Sequence, residues 1–342
     1  MKKICVIYTG GTIGSVNRGA FLGTDAATGG RLLDLYRKQY GTDTAFDVCQ
    51  PLNVLSENMQ KADLVALADC VRERLHGDYD GIVVTHGTDT LSFTAPLFSL
   101  LFCDAPLPVV FVSALFPLED ARSNGLDNFA AAVGFIGEKL PGVYVAFRNA
   151  GDPCAKIHLA SRLKDCAPAS GDFSSFGGTA LGEMTKGTFR FFPLASNPSP
   201  EDLRRPRPAS GFDPARLCTD ILTIKAHSLT DYSLFRFAEN APQAVVLELY
   251  HSGTVCTAGK GENAAAFLRY CREKGAQPVL APVAGGGNLY ESAVSLSDLA
   301  ILAEDQSFNM ARIKTMLALG MGLSVDAVLK KTFFFEKVSP LS

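Results

Sequence analysis

The apolar residues of this chain come in short, β-branched runs that alternate with stretches of helical spacing. Ile4–Tyr8 is an unbroken apolar run that ends on Thr9-Gly10-Gly11, the pattern of a buried strand closed by a glycine turn. From Asp63 to Leu75 the apolar positions Leu64, Leu67, Ala68, Val71 and Leu75 mark one face of a helix. Gly81–Thr85 predicts a second strand, Thr94–Phe102 a helix, Val109–Ser113 a third strand, Asn128–Leu140 a helix and Val143–Phe147 a fourth strand. Strands that are apolar throughout, alternating with helices, predict an α/β fold whose mostly parallel sheet is covered by helices on both faces.

The pattern breaks after Thr185. Six prolines fall between Pro193 and Pro214 with few apolar residues among them, so residues 191–216 read as a Pro-rich linker. Alternation then resumes: a strand at Ile221–Lys225, a helix near Tyr232–Glu239, a strand at Ala244–Tyr250 and a helix at Asn263–Lys274. A strand at Pro278–Pro282 and helices at Ser297–Glu304 and Asn309–Leu319 complete it. The expected organisation is a catalytic N-terminal α/β domain over 1–190 and a smaller C-terminal α/β domain over 217–342.

Composition narrows the class. Apolar residues make up 47% of the chain and charged residues 20%, enough core for two folded domains and no sign of wholesale disorder. The net charge of −3 comes without a basic stripe, which argues against nucleic acid and anionic membranes and for a small-molecule substrate. The apolar run after Met-Lys-Lys is too short for a signal-peptide core or a membrane span. The nine cysteines are scattered without Cys-x-x-Cys or Cys/His zinc spacing, which predicts reduced thiols in a cytoplasmic protein. The five histidines are dispersed as well, so no metal is expected.

Open α/β sheets place ligands outside the carboxyl ends of their strands. The segments after the predicted strands are Thr9-Gly10-Gly11-Thr12-Ile13-Gly14, Thr85-His86-Gly87-Thr88-Asp89-Thr90, Ser113-Ala114 and the stretch leading to Gly151-Asp152-Pro153-Cys154-Ala155-Lys156. Two threonines, an aspartate and a lysine are thereby expected on neighbouring loops. The first loop lacks the Gly-Lys-Ser/Thr of a Walker P-loop and the spacing of a dinucleotide fingerprint. A Thr-Asp pair beside a core is costly unless it binds something polar. Taken alone, Lys156 reads as a solvated lysine, and His86 as a structural hydrogen-bonding histidine.

Together these residues resemble the bacterial-type L-asparaginase family, in character the cytoplasmic type I enzymes. Its members carry Thr-Gly-Gly-Thr-Ile and His-Gly-Thr-Asp-Thr, intact here at Thr9–Ile13 and His86–Thr90. Ser56-Glu57-Asn58-Met59 looks like the family's serine-containing substrate loop, and Gly151–Lys156 like the segment ending in its reactive lysine. The resemblance implies Thr12 as nucleophile and a Thr88–Asp89–Lys156 cluster in which Lys156 draws the Thr88 proton. It further implies Ser56 on the substrate α-carboxylate, Asp89 with Glu57 on its α-ammonium, and Gly11, Gly87 and Ala114 around the substrate. A threonine hydroxyl needs an adjacent base, and a zwitterionic amino acid needs carboxylates at one end and donors at the other. The implied partner is L-asparagine. The implied assembly is a homodimer or homotetramer with shared active sites, the second domain's Tyr250–Thr254 and Glu291 serving a neighbouring protomer.

The chain departs from the family pattern in places. The family's mobile lid supplies a tyrosine, whereas Ser15–Asp34 contains none and Phe21 takes that place, with Tyr290 and Glu291 as substitutes. Val112-Ser113, Leu115-Phe116, Pro153-Cys154 and Asn124 also differ from the usual residues. Three readings stay open: an asparaginase, a glutaminase or other small amino-acid amidase, and a non-catalytic amino-acid-binding relative. One methylene changes pocket binding by only about 1–3 kcal/mol, so motifs do not choose between the first two.

Overall fold

In a computed structural model, residues 1–11, 13, 15–17, 22–24, 28–237, 239–258, 263–286 and 290–338 are described. They cluster into two compact units: Met1–Ala215 with Phe333–Phe335, and Arg216–Thr332 with Glu336–Ser342.

The first unit runs β1 (Lys2–Ile7), β2 (Ser15–Asn17), β3 (Leu22–Thr24), α1 (Thr28–Tyr40), β4 (Thr44–Cys49), α2 (Lys61–Leu75) and β5 (Gly81–Thr85). It continues with α3 (Thr88–Leu101), β6 (Pro108–Val112), α4 (Gly125–Ile136), β7 (Gly142–Phe147), β8 (Ala155–Leu159), β9 (Gly182–Thr185), β10 (Thr188–Phe191) and α5 (Pro200–Arg204). Eight strands form one sheet in the order β10-β9-β8-β7-β6-β5-β1-β4. From β4 through β7 all pairings are parallel, and from β7 through β10 they are antiparallel. Every residue of β5, β6 and β7 is buried, as their uninterrupted apolar sequences require of central strands.

The chain leaves β1 to form β4 on one side and returns to form β5 on the other. That reversal opens a crevice outside the carboxyl ends of β1 and β5. The two threonine motifs follow those two strands.

Several expectations change here. The helix expected at Thr94–Phe102 begins at Thr88, so the second motif is a helix N-terminus rather than a free loop. Its Thr, Asp and Ser residues are weak helix formers, which hid the first turn. Lys156, expected on a loop, lies in β8 opposite Phe147. Residues 191–215 fall within the first unit rather than forming an irregular linker. There Ser199 caps α5 in a capping box, Pro200 occupies the first turn and Leu203 is fully buried. Proline is compatible with that position, so counting prolines misled.

The second unit holds β11 (Ile221–Lys225), β12 (Ala244–Glu248), α6 (Ala264–Glu273), β13 (Gln277–Val283), α7 (Glu291–Val294), β14 (Ile301–Glu304), α8 (Phe308–Met321) and α9 (Val325–Lys330). Its four strands pair in chain order, all parallel. The helix expected at Ser297–Glu304 is instead the edge strand β14, because a short apolar run suits either state until a neighbour pairs with it. The helix expected near Tyr232–Glu239 shrinks to a 3-10 turn at Tyr232–Leu234. Aromatic contacts flank that turn: Tyr232 stacks on Phe267 at 5.4 Å, and the Tyr270 hydroxyl accepts the Phe237 N–H at 2.9 Å.

Candidate active site

The crevice is built on glycine contacts. Gly11 has φ of 75°, and a Cβ there would stand 2.6 Å from Gly87 N and 2.8 Å from Gly87 Cα. Only glycine lets the two backbones meet in this way. A Cβ on Gly87 would in turn stand 2.4 Å from Ser56 Oγ. Gly11, Gly87 and Ser56 are therefore stacked in contact, although they lie far apart in sequence.

Hydrogen bonds fix the stack. Thr9 Oγ1 donates to the Thr85 carbonyl at 2.7 Å, and Val54 N to the Thr9 carbonyl at 2.9 Å. Thr90 Oγ1 donates to the Ser56 carbonyl at 2.9 Å, tying the first turn of α3 to the 3-10 turn Ser56–Asn58, in which Ser56 is buried. Glu57 in that turn is exposed. Gly87 caps α3 with no side-chain acceptor, and Thr88 and Asp89 follow it, half-buried and exposed. The first-turn N–H groups and the helix dipole make this end favourable for negative charge.

His86 is fully buried, and burial pushes its pKa down to about 4. Its Nδ1 lies 2.8 Å from the Gly87 carbonyl, which assigns the proton of the neutral ring to Nδ1. It therefore acts as a structural histidine. Among the described residues, His86 Nε2, Thr85 Oγ1 and Ser113 Oγ have no hydrogen-bond partner.

Ala114 is fully buried after β6. The Asn124 side chain accepts the Leu115 N–H at 3.0 Å and donates to the Arg148 carbonyl at 2.8 Å. An aspartate at 124 has no proton for the second bond, so this departure from the family pattern serves the fold. Asn128 supports the same loops, donating to the Ser113 carbonyl at 2.8 Å and accepting the Arg148 N–H at 2.7 Å.

Lys156 lies at the start of β8, facing the end of β7, and so at the same end of the sheet as the two motifs. Its ammonium pairs with Asp152 at 2.8 Å. Asp152 was missed by sequence reasoning, although it stands four residues before Lys156. Thr9 and Asn128 were missed too, because their work is done through backbone carbonyls. Thr12 and Phe21 lie outside the described residues. In the second unit, Tyr290 and Glu291 are exposed at the start of α7, and Tyr250–Thr254 forms a turn closed by a 3.0 Å bond from Tyr250 N to the Thr254 carbonyl.

Among the described residues, no group of three or more His, Cys, Asp or Glu is placed to hold a metal ion, and no helix is long and apolar enough to cross a membrane.

A family model described as "Asparaginase, N-terminal" matches residues 3–195. An L-asparaginase of Thermococcus kodakarensis is 28% identical over 338 residues, 96% of either chain. A glutamyl-tRNA(Gln) amidotransferase component of Methanococcus maripaludis is 32% identical over 135 residues, 39% of this chain and 32% of that protein. Among solved structures, the thermostable L-asparaginase of Thermococcus kodakarensis matches at a TM-score of 0.78 with 23% identity, covering 98% of this chain and 99% of that one. A probable cytoplasmic L-asparaginase of Campylobacter jejuni matches at 0.73 with 23% identity, covering 98% and 100%. These structures share the fold.

Proposed function

Because this chain belongs to the asparaginase family, we propose that it is an L-asparaginase, which hydrolyses the side-chain amide of L-asparagine to L-aspartate and ammonia through a threonine acyl-enzyme. The observation that carries the reading is the end-to-end match to an L-asparaginase, 28% identical over 338 residues. The amidotransferase relatives match less of their own length, 32% at 32% identity in one and 64% at 25% identity in another, so that reading is weaker.

In this mechanism the Thr12 hydroxyl attacks the amide carbon, and backbone N–H groups around Gly11 hold the oxyanion. Ammonia leaves with a proton, and water then frees aspartate from the ester. Ser56 and the open N-terminus of α3 receive the α-carboxylate, while Asp89 and Glu57 receive the α-ammonium. Thr88 assists, with Lys156 as its base. An ammonium has no lone pair to offer, so this role requires Lys156 to pass on a proton and leave its pair with Asp152. The enzyme works without a cofactor in the cytoplasm as a homodimer or homotetramer. The second unit lends Glu291, with Tyr290 beside it, to a neighbouring chain's site.

The test is ammonia release by purified protein on L-asparagine, L-glutamine and their D-isomers. Preference for L-asparagine supports the proposal, preference for L-glutamine replaces the substrate, and no release on any of them leaves an amino-acid-binding relative. Shared sites predict that co-expressed Thr12→Ala and Glu291→Ala chains regain partial activity that neither shows alone.

A further inference from the structure

On the edge of the large sheet, Cys5 of β1 stands beside Asp47 of β4. Residues two apart on a strand share a face, so Cys49 lies on that face too. Cys70 and Arg74 of α2 are four apart and so share one side of the helix. The outcome is a row of three thiols: Cys49 Sγ is 3.4 Å from Cys70 Sγ and 4.0 Å from Cys5 Sγ. All three are unbridged, Cys5 buried and the other two half-buried. A cavity of about 390 Å³ reaches the row through Cys5 and Arg74. The function proposed above uses none of these side chains.

We propose that Cys49 and Cys70 form a reversible dithiol–disulfide pair, in which Cys49 reacts first with a peroxide and Cys70 resolves the product. Three observations carry this. The two sulfurs are already in van der Waals contact, and a disulfide needs an approach of only about 1.4 Å more. The flanking thiols and the Arg74 guanidinium single out the middle sulfur. Hydrogen bonds from Cys5 and then Cys70 push the Cys49 pKa well below the usual thiol range, against burial and with help from Arg74. The same contacts and burial push Cys5 and Cys70 up, so the arrangement favours a thiolate on the middle sulfur over its neighbours. Finally, Cys49 ends an edge strand and is half-exposed, which admits a small oxidant.

The chemistry balances with hydrogen peroxide as oxidant. The Cys49 thiolate attacks one peroxide oxygen, the O–O bond breaks, and the departing hydroxide takes up a proton as water. Cys49 is left as a sulfenic acid. The Cys70 sulfur gives up its proton and attacks Cys49 Sγ. The S–O bond breaks, a second water leaves, and the disulfide forms. Two thiols thus give two electrons and two protons to one peroxide.

The experiment treats the full chain with stoichiometric hydrogen peroxide, alkylates the remaining thiols and maps the peptides by mass spectrometry. A Cys49–Cys70 linked peptide should appear about tenfold faster than oxidation of the buried Cys271 thiol, and dithiothreitol should reverse it. Cys70→Ser should trap a dimedone-reactive sulfenic acid on Cys49, Cys49→Ser should abolish both products, and Cys5→Ser should still cross-link. The wild-type map decides even if a variant fails to fold. Cys49 oxidising no faster than Cys271, or cross-linking to Cys5 instead of Cys70, overturns the proposal.

Discussion

Replacing Gly87 with alanine isolates the contact on which the crevice depends. Gly87 has φ −78° and ψ 152°, extended backbone that alanine adopts freely, so any effect is steric. The new Cβ would stand 2.4 Å from Ser56 Oγ and 2.6 Å from Ser56 Cβ. The hydroxyl can rotate away. The Cβ cannot, and reaching ordinary contact requires Ser56 to move by about 1 Å. Ser56 is held by the 2.9 Å bond from Thr90 and a 3.2 Å bond from Met59 N, both to its carbonyl. Overpacking of this kind costs about 1–3 kcal/mol. At roughly 2–4 °C per kcal/mol for a unit of this size, Tm should fall by about 2–12 °C.

The displacement should also be visible in kinetics. If Ser56 receives the α-carboxylate, moving it weakens ground-state and transition-state binding alike, so KM for L-asparagine rises about tenfold for each 1.4 kcal/mol while kcat changes little. Adding Ser56→Gly to Gly87→Ala removes both clashing atoms. That double variant should recover the lost Tm but not the KM, a non-additivity that a double-mutant cycle measures directly. Gly11→Ala should be worse than Gly87→Ala, since its Cβ meets backbone and its φ of 75° adds about 1–2 kcal/mol of strain. Unchanged Tm and KM in Gly87→Ala would refute the stack.

Further outcomes follow from the same residues. Thr88→Ala and Thr12→Ala should each nearly abolish ammonia release with the circular dichroism spectrum intact, and the double variant should be little worse than either. Burial holds His86 and His158 at a pKa of about 4, so below about 6.5 the unfolded chain binds protons that the folded chain refuses. Stability measured by urea unfolding should therefore fall between about pH 6.5 and 4, by up to about 3 kcal/mol for each histidine, and His158→Gln should flatten the slope. Lys314 and Glu336, both fully buried and 2.7 Å apart, predict a loss of about 3–5 kcal/mol for Glu336→Ala, read as a drop in Tm.

Much of the fold was legible because central strands need long apolar runs and amphipathic helices need regular spacing. Gly81–Thr85 and Ile221–Lys225 match their strands to the residue. What escaped was structure that depends on partners. β4 carries Thr44, Asp47 and Cys49 and is only partly buried; its strand character comes from pairing in register with β1. The antiparallel strands β8 to β10 mix polar and apolar residues and depend on one another in the same way. Ser297–Glu304 was misread because Leu299, Ile301 and Leu302 suit a helix until β13 offers an edge.

The site was legible for a different reason. Its signature is carried by glycines and small hydroxyl residues whose identity the backbone dictates, so spacing in the sequence maps directly onto contact in space. Gly11 must be glycine to touch Gly87, and Gly87 must be glycine to seat Ser56, whichever substrate is bound. Side chains that act through reach leave no such trace. Lys156 has several rotatable bonds, and its pairing with Asp152 depends on where β8 begins, which spacing does not encode. Asn124 shows the converse: a departure from the family's usual residue, it bridges Leu115 and Arg148 with two bonds that only an amide can make together. The family pattern is thus best trusted where it constrains backbone approach. It needs the kinetic tests above wherever it assigns a proton.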